Sequence, residues 1–235
     1  MKYTLRTIFF MIKAYFASKW VMFKARRKPE KERFQDVYEY FRVYCPGLMK
    51  ATGSRIIYHG LENLPEKPGA LYVSNHQSLF DIVVILAVME YPTAFVNKKE
   101  LEKTIFVGQL MHNIGCVWMD RNDLRQSLEA IKQASERLRE GLNMVIFPEG
   151  TRSKNGQMGE FKKGSLKAAT MAGAPVVPVR ITSSIRDILE NNKGIKIVPQ
   201  EVHVYFGEPI DVASMTRKEQ KELAENIQSI VAELN

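Results

Sequence analysis

Two short strings in this chain hold residue types suited to acid–base and anion chemistry. The first, NHQSLFD from Asn75 to Asp81, places His76 five residues before Asp81. Within one continuous helix that separation points two side chains apart, whereas a His still in the turn can fold back onto a carboxylate in the first helical turn. Asp81 would then hold the imidazole in one tautomer and stabilise imidazolium when it forms, which equips His76 to take a proton from a weak nucleophile such as an alcohol. Taken alone, the same spacing also describes an ordinary helix-capping turn. The second string, FPEGTRS from Phe147 to Ser153, offers the backbone of Gly150, the hydroxyls of Thr151 and Ser153, and the guanidinium of Arg152. Arg presents a planar fork matched to two phosphate oxygens, and Gly lets backbone approach an anion closely. Glu149 would repel a phosphate, so its expected part is to orient Arg152 or to accept from a ligand hydroxyl.

A covalent acyl-enzyme would need a positioned Ser or Cys. The sequence has no GxSxG elbow, so direct transfer between two bound substrates is expected. His59, His112 and His203 show no ligand spacing with Cys45 or Cys116, which argues against zinc, and no metal is expected. Two cysteines in 235 residues ask for no disulfide scaffold and suit a cytoplasmic compartment.

Both strings follow short apolar runs. Strands are expected near Arg55 to His59, Ala70 to Ser74, Thr93 to Asn97, Cys116 to Met119, Asn143 to Phe147, Pro175 to Thr182, Ile195 to Val198 and Val202 to Phe206. Helices are expected near Leu79 to Glu90, Ile105 to Asn113, Asn122 to Glu140, Gly164 to Ala172 and Arg217 to Glu233. This alternation predicts an α/β fold, a mixed and largely parallel sheet flanked by helices. In such sheets ligands bind where loops leave the carboxyl ends of strands, and both strings sit there.

Residues 1–50 read differently. Leu5, Ile8, Phe9, Ile12, Phe16 and Phe23 gather on one helical face, with Arg6, Lys13 and Lys24 opposite and Lys19 as an exception. A second helical stretch, Glu30 to Tyr44, is expected to stop at Cys45-Pro46-Gly47. The two would form an amphipathic hairpin, a membrane-interface segment ahead of a catalytic domain at 51–235. Charges interrupt the apolar run before it reaches the ~20 residues a spanning helix needs. The net charge of +8 lies in this segment, since 8 of the 34 basic residues precede Glu30 and the other 26 match the 26 acidic ones. A basic, aromatic N-terminus points to an anionic lipid surface. The body has no basic stripe with stacking aromatics, which disfavours nucleic acid.

Together the two strings resemble the glycerophospholipid acyltransferase family, whose signature is a His, four intervening residues and an Asp, followed later by a block like FPEGTRS. The resemblance extends through KKELEKTIFVGQLMHNIGCVWMDR, Lys98 to Arg121, and APVVPVRI, Ala174 to Ile181, covering most of residues 55–210. One departure is Ile105, where the family often has Pro, which leaves the local turn and the acceptor pocket open. The resemblance implies an enzyme that moves an acyl group from a coenzyme A or acyl-carrier-protein thioester to the free hydroxyl of 1-acylglycerol 3-phosphate, with no cofactor. The resemblance also implies action at the cytoplasmic face of the membrane. His76 would be the base and Asp81 its orienting partner. Arg152, with Glu149, Gly150 and Thr151, would hold the phosphate, and Lys99 and Arg121 are further candidates for it. Glycerol 3-phosphate or another lysophospholipid is the alternative acceptor, and a non-catalytic binder of anionic lipid is the alternative from another class.

Overall fold

The computed structural model describes residues 1–104, 107–120, 122–192 and 194–235. Seven strands form one sheet: β1 (Arg55–His59), β2 (Leu71–Ser74), β3 (Thr93–Lys98), β4 (Val117–Met119), β5 (Asn143–Ile146), β6 (Val176–Ile181) and β7 (Glu201–Phe206), in the order β1-β7-β6-β2-β5-β3-β4. Every pairing is parallel except β6 with β7. The sheet is thus mixed and largely parallel, as the alternation predicts. The central strands β2 and β5 are buried at every residue, which is why they read as unbroken apolar runs rather than alternating ones. Their register, Leu71 with Met144 through Val73 with Ile146, brings both chemistry-bearing strings out at the same sheet edge, side by side.

Helices cover the sheet in two groups. α2 (Glu30–Thr52) packs on α3 (Phe80–Leu86) and α4 (Val107–Asn113), with α1 (Lys2–Ala25) lying on α2, while α5 (Leu124–Arg139) packs on α6 (Lys167–Ala172). α7 (Arg217–Glu233) lies on β6 and starts with a capping box made by Thr216 and Glu219.

Three expectations need correction. α2 does not stop at Cys45-Pro46-Gly47 but runs to Thr52 and ends at Gly53, whose positive φ of 79° closes the helix. Its buried stripe of Phe34, Val37, Tyr38, Phe41, Cys45 and Met49 continues through the Pro at helical spacing, so packing outweighs the one lost backbone bond at an exposed position. Gly47 is needed for a different reason: a Cβ there would lie 2.6 Å from the Phe10 ring, so α1 seats on α2 through it. Residues 195–198 form no strand. Val198 N–H donates to the Ile188 carbonyl and Ile197 N–H to Thr4 Oγ1, so the segment is tied to α1 and to the turn before it instead of to the sheet. Finally, α3 ends at Leu86, four residues before the expected Glu90. Ile105 lies outside the described residues.

Within α1, Leu5, Ile8, Phe9, Ile12, Phe16 and Phe23 are all exposed, together with Trp20, while Thr7, Ser18 and Ala25 face inward. Lys13 and Lys24 do not lie opposite this face, because α2 packs on that side. Lys13, Lys24 and Arg26 lie over the rings of Phe9, Trp20 and Phe23, rimming the apolar face with positive charge. Lys19, the exception, reaches Gln109 of α4.

Candidate active site

His76 lies in the turn after β2, and Asp81 in the first turn of α3. His76 Nδ1 and Asp81 Oδ2 are 2.7 Å apart. The same oxygen accepts from the amides of Gln77, at 2.6 Å, and Ser78, at 2.9 Å. An oxygen that already accepts two N–H groups carries no proton, so Nδ1 is the donor and Nε2 keeps its lone pair. Asp81 is fully buried, while the His76 side chain keeps 19% of its surface exposed, so the pair is anchored within and reachable from outside. Burial pushes the Asp81 carboxyl above its ordinary value, with His76 and the two amides pulling the other way. The His76 ring stacks on Phe147, centroids 4.1 Å apart, which fixes its plane.

The FPEGTRS string meets this turn through the backbone of His76. Glu149 Oε1 accepts the His76 N–H at 2.7 Å, and Ser153 N–H donates to the His76 carbonyl at 2.8 Å. Glu149 Oε2 accepts from Gly159 N–H at 2.8 Å. Each Glu149 oxygen thus accepts from a backbone amide, and the carboxylate ties one loop to the other rather than pairing with Arg152. Burial also raises its carboxyl above the ordinary range. Gly150 takes a positive φ of 77° in the turn, a conformation that favours glycine. Thr151 is exposed beside it.

Arg152 instead faces Glu190, Nη1 to Oε1 at 3.6 Å. Glu190 also accepts from Ser78 Oγ and from Leu79 N–H, each at 2.8 Å. Arg186, buried, donates to the Ser153 carbonyl, to that of Lys154 at 2.8 Å and to Asn191 Oδ1 at 3.1 Å. Glu190 bridges both loops and Arg186 ties its segment to the second, and sequence reasoning missed them: Glu190 is 112 positions from Ser78 and sits in a segment with neither helical nor strand periodicity.

Lys99 follows β3 and donates to Gln126 of α5, not to the FPEGTRS loop. Arg121 lies outside the described residues. His59 and His203, far apart in sequence, meet across β1 and β7, ring nitrogens 2.9 Å apart, three and two strand positions from β2. Among the described residues no group of three His, Cys, Asp or Glu is arranged to hold a metal ion. An apolar groove of about 230 Å³ opens against the site, lined by Phe147, Pro148 and Gly150 on one side and by Met119, Leu128 and Ile131 on the other.

This geometry has relatives. A family model described as Acyltransferase matches residues 55–182. The chain is 32% identical over 216 residues to the "Probable 1-acyl-sn-glycerol-3-phosphate acyltransferase" of Mycoplasma genitalium, covering 87% of this chain and 78% of that one. It is also 32% identical over 165 residues to the 1-acyl-sn-glycerol-3-phosphate acyltransferase of Escherichia coli, 69% of this chain and 65% of the other. The crystal structure of the 1-acyl-sn-glycerophosphate (LPA) acyltransferase PlsC from Thermotoga maritima superposes with a TM-score of 0.81 at 28% identity, over 97% of this chain and 91% of that one.

Proposed function

We propose, from the premise that this chain belongs to the acyltransferase family, that it transfers an acyl group from a thioester to the sn-2 hydroxyl of 1-acylglycerol 3-phosphate, giving phosphatidic acid. The observation that carries the mechanism is the bond from His76 Nδ1–H to Asp81, which leaves Nε2 as the one ring nitrogen able to accept a proton. Nε2 takes the proton of the acceptor hydroxyl as its oxygen attacks the thioester carbonyl carbon. When the tetrahedral intermediate collapses, the C–S bond breaks and the proton passes from imidazolium to the leaving thiolate. Asp81 stabilises the imidazolium throughout.

Arg152 binds the acceptor phosphate, supported by its exposure beside the His76 turn. The groove against Phe147 and Gly150 receives an acyl chain, since Met119, Leu124, Leu128, Ile131 and Ile146 line it, while Lys162 and Lys167 are its charged members. The donor is an acyl thioester of coenzyme A or of acyl carrier protein. No described helix is long and apolar enough to cross a membrane. The exposed stripe of α1 with its cationic rim supports docking in the interface of an anionic bilayer, on the cytoplasmic side where such thioesters are made available.

The deciding experiment follows thiol release from an acyl thioester by purified protein with lysophosphatidic acid, glycerol 3-phosphate or no acceptor, beside His76→Ala. Release that needs lysophosphatidic acid and vanishes in the variant is expected. Release that needs glycerol 3-phosphate instead would move the acceptor, and activity indifferent to the substitution would remove His76 from the mechanism.

A further inference from the structure

Glu190 brings into the site a carboxylate that neither motif accounts for. It is fixed by two neutral donors, Ser78 Oγ–H and Leu79 N–H, at the start of α3. Its own segment is fixed in turn by Arg186, which grips the carbonyls of Ser153 and Lys154 and the side chain of Asn191. Glu190 is 18% exposed at the side chain and Arg152 is 45% exposed, so the carboxylate is the settled member of the pair and the guanidinium the mobile one. Their 3.6 Å separation exceeds the ~2.7–2.9 Å of a charge-assisted bond, so Arg152 is held by attraction without being saturated.

We propose that Glu190 is a positioning residue that sets affinity for the acceptor. With no acceptor bound, it keeps Arg152 beside the His76 turn. When a phosphate monoester arrives, Arg152 turns its planar fork to the phosphate oxygens, which two parallel hydrogen bonds can satisfy where the single long contact to Glu190 cannot. Glu190 cannot withdraw, because Ser78 and Leu79 hold it, so the phosphate binds next to a fixed negative charge. That charge weakens the hold on the acceptor, and it weakens equally the hold on the product, which carries the same phosphate and has to leave before the next turnover. The inference rests on the reading of Arg152 as the phosphate ligand.

The test uses Glu190→Gln, which keeps an oxygen for Ser78 and Leu79 and removes the charge. Steady-state thiol release is measured against lysophosphatidic acid concentration in wild type, Glu190→Gln, Arg152→Ala and the double variant, with thermal melts as a check on folding. A partly exposed ion pair is worth up to ~1 kcal/mol, so KM for lysophosphatidic acid is expected to fall about two- to fivefold in Glu190→Gln. KM for the thioester should not follow it, and the fall should shrink when Arg152 is Ala, since only direct repulsion of the phosphate by Glu190 then remains. A merely structural role would move the melt and raise KM, or leave KM alone. If Arg152→Ala raises acceptor KM while Glu190→Gln leaves it unchanged or raises it, the role of Glu190 is overturned and the phosphate reading stands. If Arg152→Ala leaves acceptor KM unchanged, the phosphate reading fails and this inference fails with it.

Discussion

Replacing Asp81 by Asn tests the mechanism at its most constrained atom. In many His–carboxylate pairs an Asn can rotate, present its amide to the imidazole and force the wrong tautomer. Here rotation is blocked, because the Oδ2 position must accept from the amides of Gln77 and Ser78 as well as from His76 Nδ1. The Asn carbonyl therefore stays at Oδ2, and its NH₂ takes the place of Oδ1, a buried atom with no partner among the described residues. The tautomer survives and only the charge is lost. A charge-assisted bond exceeds a neutral one by about 1–2 kcal/mol, and the full attraction at 2.7 Å is about 6 kcal/mol at an effective dielectric near 20, which bounds the loss from above. We therefore expect kcat to fall about 10- to 10³-fold with acceptor KM little changed, at 1.4 kcal/mol per tenfold. Asp81→Ala, which also strands two amides and frees the ring, should lose more. The assay is thiol release at saturating lysophosphatidic acid, on protein whose melt shows it folded. Asn as damaging as His76→Ala would mean that the tautomer flips after all, and Asn within about threefold of wild type would mean that no imidazolium needs stabilising.

Other consequences reach beyond the site. Phe9 and Phe16 of α1 are 63% and 67% exposed, and burying each in lipid contributes about 1.5–3 kcal/mol, so Phe9→Glu with Phe16→Glu should cut flotation with anionic vesicles at least ~10²-fold; unchanged flotation would sink the interface helix. Point changes are cleaner than deleting residues 1–28, which would also uncover α2. Pro46→Ala should stabilise α2 by about 1–3 kcal/mol in urea unfolding, since it restores a backbone donor in a helix that already continues; a loss of stability would show that the Pro geometry is required. Burial raises Asp81 and Glu149 above their ordinary 3.8 and 4.5, so the folded state holds extra protons and their contribution, full below those values, is lost as pH rises through the raised ones. The double variant Asp81→Asn, Glu149→Gln should accordingly gain stability relative to wild type as pH rises above the ordinary carboxylate values, and a difference that does not change with pH would contradict the shifts.

The parts legible in sequence were those whose chemistry is contiguous. His76 with Asp81, and Glu149 through Arg152, each lie within one string, and the short apolar runs before them declared buried parallel strands. What the residues alone could not show was pairing. Nothing in NHQSLFD says that its Ser78 meets a carboxylate 112 positions away, and nothing in FPEGTRS says that Glu149 is spent on an amide of the other loop. Local signals also misled where tertiary packing overrode them. Pro46 reads as a stop but lies on the exposed side of a helix whose inner side goes on being buried. The apolar run at 195–198 reads as a strand, yet its polar backbone is served by Thr4 and Ile188 instead.

The way the two loops are joined makes a last distinction testable. His76 is bound to the FPEGTRS loop through its backbone, N–H to Glu149 and carbonyl to Ser153, and not through its ring. Removing the ring therefore leaves both loops where they are, and His76→Ala should act on kcat alone. Removing Arg152 leaves the base where it is and should act mainly on acceptor KM. The Glu149 carboxylate joins the His76 turn to the loop that carries Arg152 and to Gly159. Glu149→Ala orphans two amides, at about 1–3 kcal/mol each, and lets the base and the guanidinium drift relative to one another. Misplacement by about 1 Å costs on the order of 10²-fold in rate. So Glu149→Ala should lower kcat and raise acceptor KM together, with a depressed melt, where each of the other two variants moves one constant. A Glu149→Ala enzyme changed in KM alone would return Glu149 to the phosphate site and undo the assignment of its two oxygens to the loops.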